Sequence, residues 1–279
     1  AWKGSGDVKT DKLWFEIFEK HGSTEFVGYE NLKTQGSIIQ IIKNNKSINK
    51  IKQGDKAIIV TNQTSFYGES GGQVGDRGVI KFNNNEFKVL DTKKILKIHL
   101  HYGDVVKGEF KKNEEVNMIV DNKKRERIKI YHSATHLLHA SLRKILGDHV
   151  TQKGSLVSFD RLRFDFSHPK PITDSYIKKI ENVTNKIVRQ NGQVAISIMQ
   201  YKSAVEEGAM ALFGEKYEDE VRVVSMGKKE NKSIFSMELC GGTHVNKTKD
   251  INYIKIIKQA SVAAGIRRIE ALCGNDLLN

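Results

Sequence analysis

The amino-acid sequence of this 279-residue chain predicts an α+β fold, with an N-terminal β-barrel followed by a two-layer α+β domain. Between Thr24 and Val120, apolar and polar residues mostly alternate in short runs separated by Gly, Asn and Asp. Many short strands with such turns are typical of a barrel. From Asp121 onward, segments of helical periodicity are interleaved with short apolar runs, which predicts helices packed on one face of a largely antiparallel sheet.

Three segments follow from this change of pattern. Residues 1–22 are predicted to be a linker that contains a short amphipathic helix, because apolar residues recur on one side from Asp11 onward. Residues 23–121 are predicted to form the barrel. Residues 122–279 are predicted to form the α+β domain.

The elements of the second domain can be placed by their capping residues and periodicity. One helix runs from Asp121 or Asn122, either of which can cap it, to about Leu146, where Gly147 ends it. Two further helices are predicted, over residues 173–189 and from Ser203 to Leu212. Strands are predicted near Leu156 and over 161–166, 193–201, 221–226, 234–238, 253–259 and 265–271.

Composition excludes several classes of protein. No apolar run approaches the ~18 residues of a membrane span, and no apolar segment resembles the core of a secretory signal. The chain has two cysteines, too few for a disulfide scaffold, which indicates a reducing compartment. We therefore expect a cytoplasmic protein with no membrane partner.

Two short pairs of metal-binding residue types stand about a hundred positions apart. His132 and His136 are separated by one helical turn, so both imidazoles can reach one ion. Cys240 and His244 flank Gly-Gly-Thr, and a glycine-rich loop can bend around the same ion without steric cost. Three imidazoles and one thiolate suit Zn²⁺ in number and softness, so the sequence predicts a zinc site formed by these four residues.

Two neighbouring residues qualify this prediction. His139 lies seven residues after His132 on the same helical stripe, so spacing alone does not exclude it as a ligand. Ser133 stands where the zinc-protease pattern HExxH has its catalytic glutamate, so the site is not that of a zinc peptidase of that type. Four protein ligands are usual for a structural zinc site, and the sequence leaves open whether the ion is structural or positions a substrate.

Longer motifs around these pairs resemble the editing domain of alanyl-tRNA synthetase. The resemblance is carried by residues 131–157 (YHSATHLLHASLRKILGDHVTQKGSLV), 161–168 (RLRFDFSH) and 239–245 (LCGGTHV). Upstream, residues 64–76 (TSFYGESGGQVGD) resemble the glycine-rich signature of that enzyme and of its free-standing editing relatives. The opening AWKGSGD resembles the stretch that leads from the tRNA-recognition region of the synthetase into its editing part.

The resemblance implies a function. It implies a hydrolase that cleaves the ester of tRNA(Ala) mischarged with Ser or Gly, with the rest of a synthetase chain as a further partner. It also implies that zinc lies in the editing pocket and that Thr135 and Gln152 are pocket residues needed for hydrolysis and selectivity. Within the chain itself, Thr135 could instead bond back to its own helix, and Gln152 could make an ordinary loop hydrogen bond.

The net charge of +13 indicates a polyanionic partner or a solvated basic surface. Lys123, Lys124, Arg267 and Arg268 belong to two basic clusters that could contact a phosphate backbone. Two other functions stay open at this point. One is a free-standing editing deacylase that acts in trans, and the other is a non-catalytic, zinc-stabilised RNA-binding module.

Overall fold

The computed structural model describes residues 8–211 and 217–274. The AWKGSGD opening lies outside the described residues.

The α-helices are α1 (Val8–His21), α2 (Asn122–Leu146), α3 (Asp174–Arg189) and α4 (Tyr201–Glu206), and a 3₁₀-helix spans Thr248–Ile251. The strands of the first half are β1 (Glu25–Phe26), β2 (Lys33–Lys43), β3 (Lys46–Ile48), β4 (Lys50–Lys52), β5 (Lys56–Thr61), β6 (Gln63–Thr64), β7 (Gly78–Phe82), β8 (Asn85–Ile95), β9 (Ile98–Lys107), β10 (Glu109–Lys111) and β11 (Glu115–Val120). The strands of the second half are β12 (Gln152–Val157), β13 (Leu162–Ser167), β14 (Ala195–Gln200), β15 (Glu220–Lys228), β16 (Ile234–Leu239), β17 (Ile254–Ala263) and β18 (Ile266–Cys273).

The chain divides into two compact units. Of the described residues, the first unit contains 8–70 and 74–125, and the second contains 71–73, 126–211 and 217–274. Residues 71–73, expected in the barrel, group with the second unit, and residues 122–125, expected in the second domain, group with the first.

A closed barrel forms the body of the first unit. Six strands pair in the order β11-β7-β8-β9-β5-β2, and the antiparallel pairing of β2 with β11 closes the ring. Closure leaves these strands without a free edge that could pair with another chain. The barrel is filled by buried apolar side chains, among them Ile38, Ile59, Ile80, Phe87 and Phe110. The predicted barrel is confirmed.

The N-terminal helix α1 packs on apolar side chains of the first unit. Trp14 and Ile17 are buried against a cluster that includes Ile42 and Val60. Successive residues of a strand point to opposite faces, so Val60 belongs to this cluster while the preceding Ile59 fills the barrel. The helix predicted from the apolar stripe is therefore present.

The second unit combines helices with two antiparallel sheets. One sheet has the strand order β12-β13-β18-β17 and the other has the order β14-β15-β16. All seven strands predicted for this region are present, but they form two sheets, because β14 pairs with β15 and not with the first sheet. The α+β class is confirmed, and the sheet pairing is a feature that period-two patterns do not specify.

Capping residues place the two long helices as predicted. Asp121 accepts a hydrogen bond from the backbone N–H of Lys124 at 3.1 Å, which caps the start of α2. Gly147 follows the helix with φ of +117°, a conformation that favours glycine. Thr173 caps α3 by accepting from the N–H of Tyr176. The short helix α4 begins at Tyr201 rather than Ser203, and Leu212, its predicted end, lies outside the described residues.

None of the helices in the described ranges is both long and apolar enough to cross a membrane.

A buried ion pair fixes the junction between the barrel and the start of α2. The guanidinium of Arg125 is fully buried, and its Nε lies 3.0 Å from the carboxylate of Asp76. The same guanidinium donates to the backbone carbonyls of Gly28 and Ser65, and Asp76 accepts from the N–H of Tyr67 at 2.6 Å. Every charged group of the pair is therefore satisfied, as burial requires.

We predict that Arg125→Met lowers the free energy of unfolding by about 3–5 kcal/mol, because it leaves the Asp76 carboxylate buried without a counter-charge. The matched control is Lys123→Met on the same helix, which removes an exposed cation and should change stability by less than about 0.5 kcal/mol. Urea denaturation followed by circular dichroism measures both. Equal effects of the two substitutions would contradict a structural role for the ion pair.

Candidate metal centre

The four predicted ligands converge in the second unit. His132 and His136 lie on the same face of α2, with ring centroids 5.2 Å apart. Strand β16 ends at Leu239, and the following loop carries Cys240 and His244. One nitrogen of each ring and the sulfur of Cys240 all lie within 4.8 Å of one another. This group of side chains could hold a metal ion.

The orientation of the rings fits a metal site. The Sγ atom of Cys240 lies 3.5 Å from Nε2 of His132 and 3.3 Å from Nε2 of His244. The three imidazoles are buried, and Cys240 is partly exposed. The Nε2 atoms of two rings therefore face the thiol, in a space that is largely closed to solvent.

An oxygen atom lies near the outer nitrogen of each imidazole. Nδ1 of His132 lies 2.7 Å from Oε1 of Gln73, and Nδ1 of His244 lies 3.1 Å from Oγ of Ser133. Nδ1 of His136 lies 3.0 Å from the carboxylate of Glu238. An acceptor at Nδ1 holds the ring proton there and leaves the Nε2 lone pair for a cation, which is the arrangement that metal-binding histidines show in proteins.

The electrostatics favour metal-binding protonation states at two of the four residues. Burial raises the pKa of the Cys240 thiol, but the rings of His132, His244 and His136 more than reverse this and lower it well below its usual range. The thiolate is the form that binds metal. Burial and the neighbouring His132 lower the pKa of His244 to about 3, so this ring is neutral near neutral pH.

The pKa of His136 is raised by its acidic neighbours. Burial would lower it, but the carboxylate of Glu238 and the thiolate of Cys240 raise it to about 10. Burial opposes ionisation of Glu238, whose pKa is nevertheless lowered by His136 and His139. His136 could help to hold a cation, whose positive charge would replace that of the second ring proton beside these negative groups.

His139 is not part of the cluster. Its Nδ1 lies 3.3 Å from the second oxygen of Glu238, and its ring packs on Phe164 with a centroid separation of 4.9 Å. The helical stripe could not separate it from His132 and His136. The structure does so because Glu238 of β16 lies between His136 and His139 and contacts both.

Close approach of the loop requires glycine at position 242. A Cβ atom there would lie 2.1 Å and 2.3 Å from two ring atoms of His132 and 2.8 Å from Oε1 of Gln73. Arg222 of β15 holds the same loop by donating to the carbonyls of Cys240 at 2.7 Å and Gly242 at 3.0 Å. The loop is thus fixed by backbone contacts that a lone Cys-x-x-x-His motif does not reveal.

The two residues expected to act on a substrate, Thr135 and Gln152, belong to the second unit. The hydroxyl of Thr135 is buried and donates to the carbonyl of Tyr131 at 2.8 Å within α2. Gln152 begins β12 opposite Phe166, and its partly buried amide makes no hydrogen bond to the described residues. No hydrogen bond among the described residues joins Thr135 or Gln152 to the four-residue cluster.

The basic residues proposed from sequence differ in their surroundings. Arg268 forms two 2.7 Å hydrogen bonds with the carboxylate of Asp165 on the neighbouring strand, so its guanidinium is already paired within the fold. Arg267 donates to Gln259 at 3.3 Å. Lys124 lies 3.7 Å from Asp121, whereas Lys123 is exposed.

Several residues of the centre were not predicted from sequence, namely Gln73, Ser133, Glu238, Thr243 and Arg222. Two of them had a signal that could have been used. Gln73 stands in the glycine-rich segment, and Ser133 lies next to a ligand in the sequence. For Glu238, the only signal in the sequence was its position two residues before Cys240.

Comparisons with known proteins relate the chain to tRNA synthetases. Residues 1–124 match the family described as tRNA synthetases class II (A), and residues 221–270 match the second additional domain of threonyl and alanyl tRNA synthetases. The alanine–tRNA ligase of Chelativorans sp. (strain BNC1) is 50% identical over 279 residues, which is 98% of this chain and 32% of that ligase. The alanine–tRNA ligase of Rickettsia bellii (strain RML369-C) is 52% identical over 276 residues, or 98% of this chain and 31% of that ligase.

The chain belongs to the alanyl-tRNA synthetase family. The ligase of Parvibaculum lavamentivorans (strain DS-1) is 48% identical over 278 residues, which is 31% of that ligase. The chain therefore spans about a third of the length of each of these three relatives. The match to the second additional domain contains Cys240 and His244, and α2 supplies the other two residues of the cluster. The group of side chains that could hold a metal ion therefore combines residues of the matched domain with residues of a helix that precedes it.

We predict that the purified chain binds about one metal ion per molecule, because four donors converge on one point. The double variant His136→Ala/Cys240→Ala should lose the metal, and His139→Ala should retain it, since His139 contacts Glu238 rather than the cluster. Metal content after dialysis, measured by plasma mass spectrometry, checks both. Full metal content in the double variant would show that the ion binds elsewhere.

Proposed function

We propose that this segment of an alanyl-tRNA synthetase is an editing hydrolase that cleaves the ester of Ser-tRNA(Ala) and Gly-tRNA(Ala). The observation that carries the proposal is the buried group of three imidazoles and one thiol within 4.8 Å, which includes two residues of the matched additional domain. The partners are mischarged tRNA(Ala) and the remaining domains of a full-length synthetase. The 50% identity to alanine–tRNA ligases about three times as long supports both partners.

Zinc is the metal that this donor set fits best. It prefers nitrogen and sulfur ligands in a four-coordinate site, and the group offers three imidazole nitrogens and one thiolate. When bound, zinc would supply a fixed positive charge for the polar atoms of the misattached amino acid. Four protein ligands usually close a zinc site, so this role requires one ligand to move or the coordination to expand.

Side chains of this chain would carry the hydrolysis itself. Water is the proposed nucleophile, because no Ser-His-Asp arrangement was found in the sequence. The side-chain amide of Gln152 can accept from a water and donate to the ester carbonyl, which orients the attack and stabilises negative charge as it develops. Thr135 already donates to Tyr131, so its hydroxyl is available to a substrate as an acceptor, for example from the hydroxyl of a seryl group.

Such a site answers a selection problem that binding alone cannot solve. Glycine is smaller than alanine and cannot be excluded by size, and small apolar pockets reject an added hydroxyl poorly. A second site that hydrolyses seryl and glycyl esters while sparing alanyl esters corrects both errors. The serine hydroxyl offers a polar group that alanine lacks, and Thr135 is our proposed partner for it.

A second candidate is a non-catalytic, zinc-stabilised RNA-binding module. One observation favours it: the donor of Thr135 is used within α2, as in an ordinary helix. The side-chain amide of Gln152, which makes no hydrogen bond to the described residues, favours the hydrolase. A deacylation assay separates the two candidates, because only the hydrolase turns over Ser-tRNA(Ala).

We predict that the chain, loaded with zinc, deacylates Ser-tRNA(Ala) and Gly-tRNA(Ala) and leaves Ala-tRNA(Ala) largely intact. Gln152→Ala should lower the rate on seryl esters on the order of 100-fold with little change in tRNA affinity, because the amide acts in the transition state. Thr135→Val should erode the preference for seryl over alanyl esters. Release of labelled amino acid from each tRNA measures all three rates.

The matched control for Thr135 is Ser141→Ala, because Ser141 makes the same type of bond to the helix backbone, 2.8 Å to Leu137, outside the proposed pocket. Selectivity should survive in that variant. Equal rates of the wild type, Gln152→Ala and Thr135→Val on both esters would remove these residues from the mechanism. An inactive wild-type chain with zinc bound would favour the binding module.

We predict that affinity for tRNA falls steeply as salt rises, because phosphate contacts release counterions. Lys123→Ala should weaken binding and lower the slope of log affinity against log salt by about one. Lys123 is a cleaner test than Arg268, whose removal would also leave Asp165 without its partner. A flat salt dependence, measured by filter binding, would mean that the +13 charge is solvated surface.

A further inference from the structure

Gln73 is a long polar side chain that is completely buried. It lies at the end of the short segment Gly71–Gln73, which groups with the second unit although its neighbours on both sides belong to the first. The carbonyl of Gly72 accepts from the N–H of Val157 at 2.7 Å. A Cβ at Gly72 would lie 2.8–2.9 Å from Ser155, and its φ of +84° also favours glycine. The segment is therefore pinned against β12.

The hydrogen bonds of Gln73 determine which way its amide faces. The backbone N–H of Thr243, which can only donate, points at Oε1 at 2.9 Å. Oε1 must therefore be the carbonyl oxygen, and Nε2 donates to the hydroxyl of Thr243 at 3.0 Å. With the amide fixed in this way, Oε1 can only accept from the ring of His132, whose Nδ1 lies 2.7 Å away.

We propose that Gln73 is a positioning residue of the metal centre, which holds the proton of His132 on Nδ1 and joins that ring to the loop of Cys240 and His244. The hydrogen bond selects the tautomer whose lone pair is on Nε2, the atom that faces Cys240 at 3.5 Å. The contacts to Thr243 fix the same amide to the residue before His244. A single side chain thus aligns a ligand from α2 with the loop that supplies two others.

The proposal requires an acceptor at position 73, and this requirement can be tested directly. Gln73→Leu keeps much of the volume of the side chain and removes the acceptor. Metal affinity should therefore fall about 10- to 100-fold, as is typical when the hydrogen-bond partner of a metal ligand is removed. Gln73→Glu keeps an acceptor for both His132 and the N–H of Thr243, whose hydroxyl can rotate to donate. Its metal affinity should stay close to that of the wild type.

The experiment uses the whole chain and titrates Zn²⁺ against a chromophoric chelator. The control is Gln193→Leu, an exposed glutamine of the same unit, which should not change the affinity. Equal affinity of the wild type and Gln73→Leu would overturn the proposal. Equal losses in Gln73→Leu and Gln73→Glu would also overturn it, because they would show that the volume and not the acceptor matters.

A measurement on the wild type covers the case in which Gln73→Leu does not fold. In a long-range ¹H–¹⁵N spectrum of the zinc-loaded chain, the ring of His132, assigned through its loss in His132→Gln, should carry its proton on Nδ1. A ring protonated on Nε2 would overturn the proposal. The inference rests on the proposed zinc centre. If the wild-type chain binds no Zn²⁺ in the titration, the zinc centre itself is contradicted, whichever residue stands at position 73.

Discussion

Three imidazoles and a thiol share one buried space, with donor atoms no more than 4.8 Å apart. Buried polar atoms that face one another without a shared proton or cation are costly, so their arrangement constrains everything around them. The protein meets this constraint from outside, by placing an oxygen atom within 3.1 Å of each Nδ1. The Nε2 atoms of the rings can then face the thiolate and could bind a cation.

The oxygen atoms near the three Nδ1 atoms come from different parts of the chain. Gln73 reaches His132 from a segment 59 residues away, Ser133 lies on α2 itself, and Glu238 lies on β16. Glu238 contacts both His136 and His139, which separates a ligand from a histidine of the same stripe. The donor set is thus held by a helix, a strand and a glycine-rich segment together.

The same logic explains the glycines that surround the centre. Gly242 lies so close to the ring of His132 that any Cβ would displace it, and a Cβ at Gly72 would be too close to Ser155 of β12. Glycine is required at both positions because other chain atoms occupy the space of the side chain. The two glycine-rich motifs are therefore packing requirements of the metal centre, and the editing function that we propose depends on them through geometry rather than through chemistry of their own.

The sequence by itself determined the class of the fold, the barrel, the long helices and the four residues of the cluster. These features depend on local spacing: alternation for strands, the i to i+4 repeat that places His132 and His136 on one face, and the capping by Asp121. The tertiary structure alone decided what those residues meet. It separated His139 from the cluster, paired Arg268 with Asp165 103 residues away, and brought Gln73 to His132. A paired and a free arginine, or a buried and an exposed glutamine, have the same sequence signal, because their partners are set by the path of the chain and not by neighbouring residues.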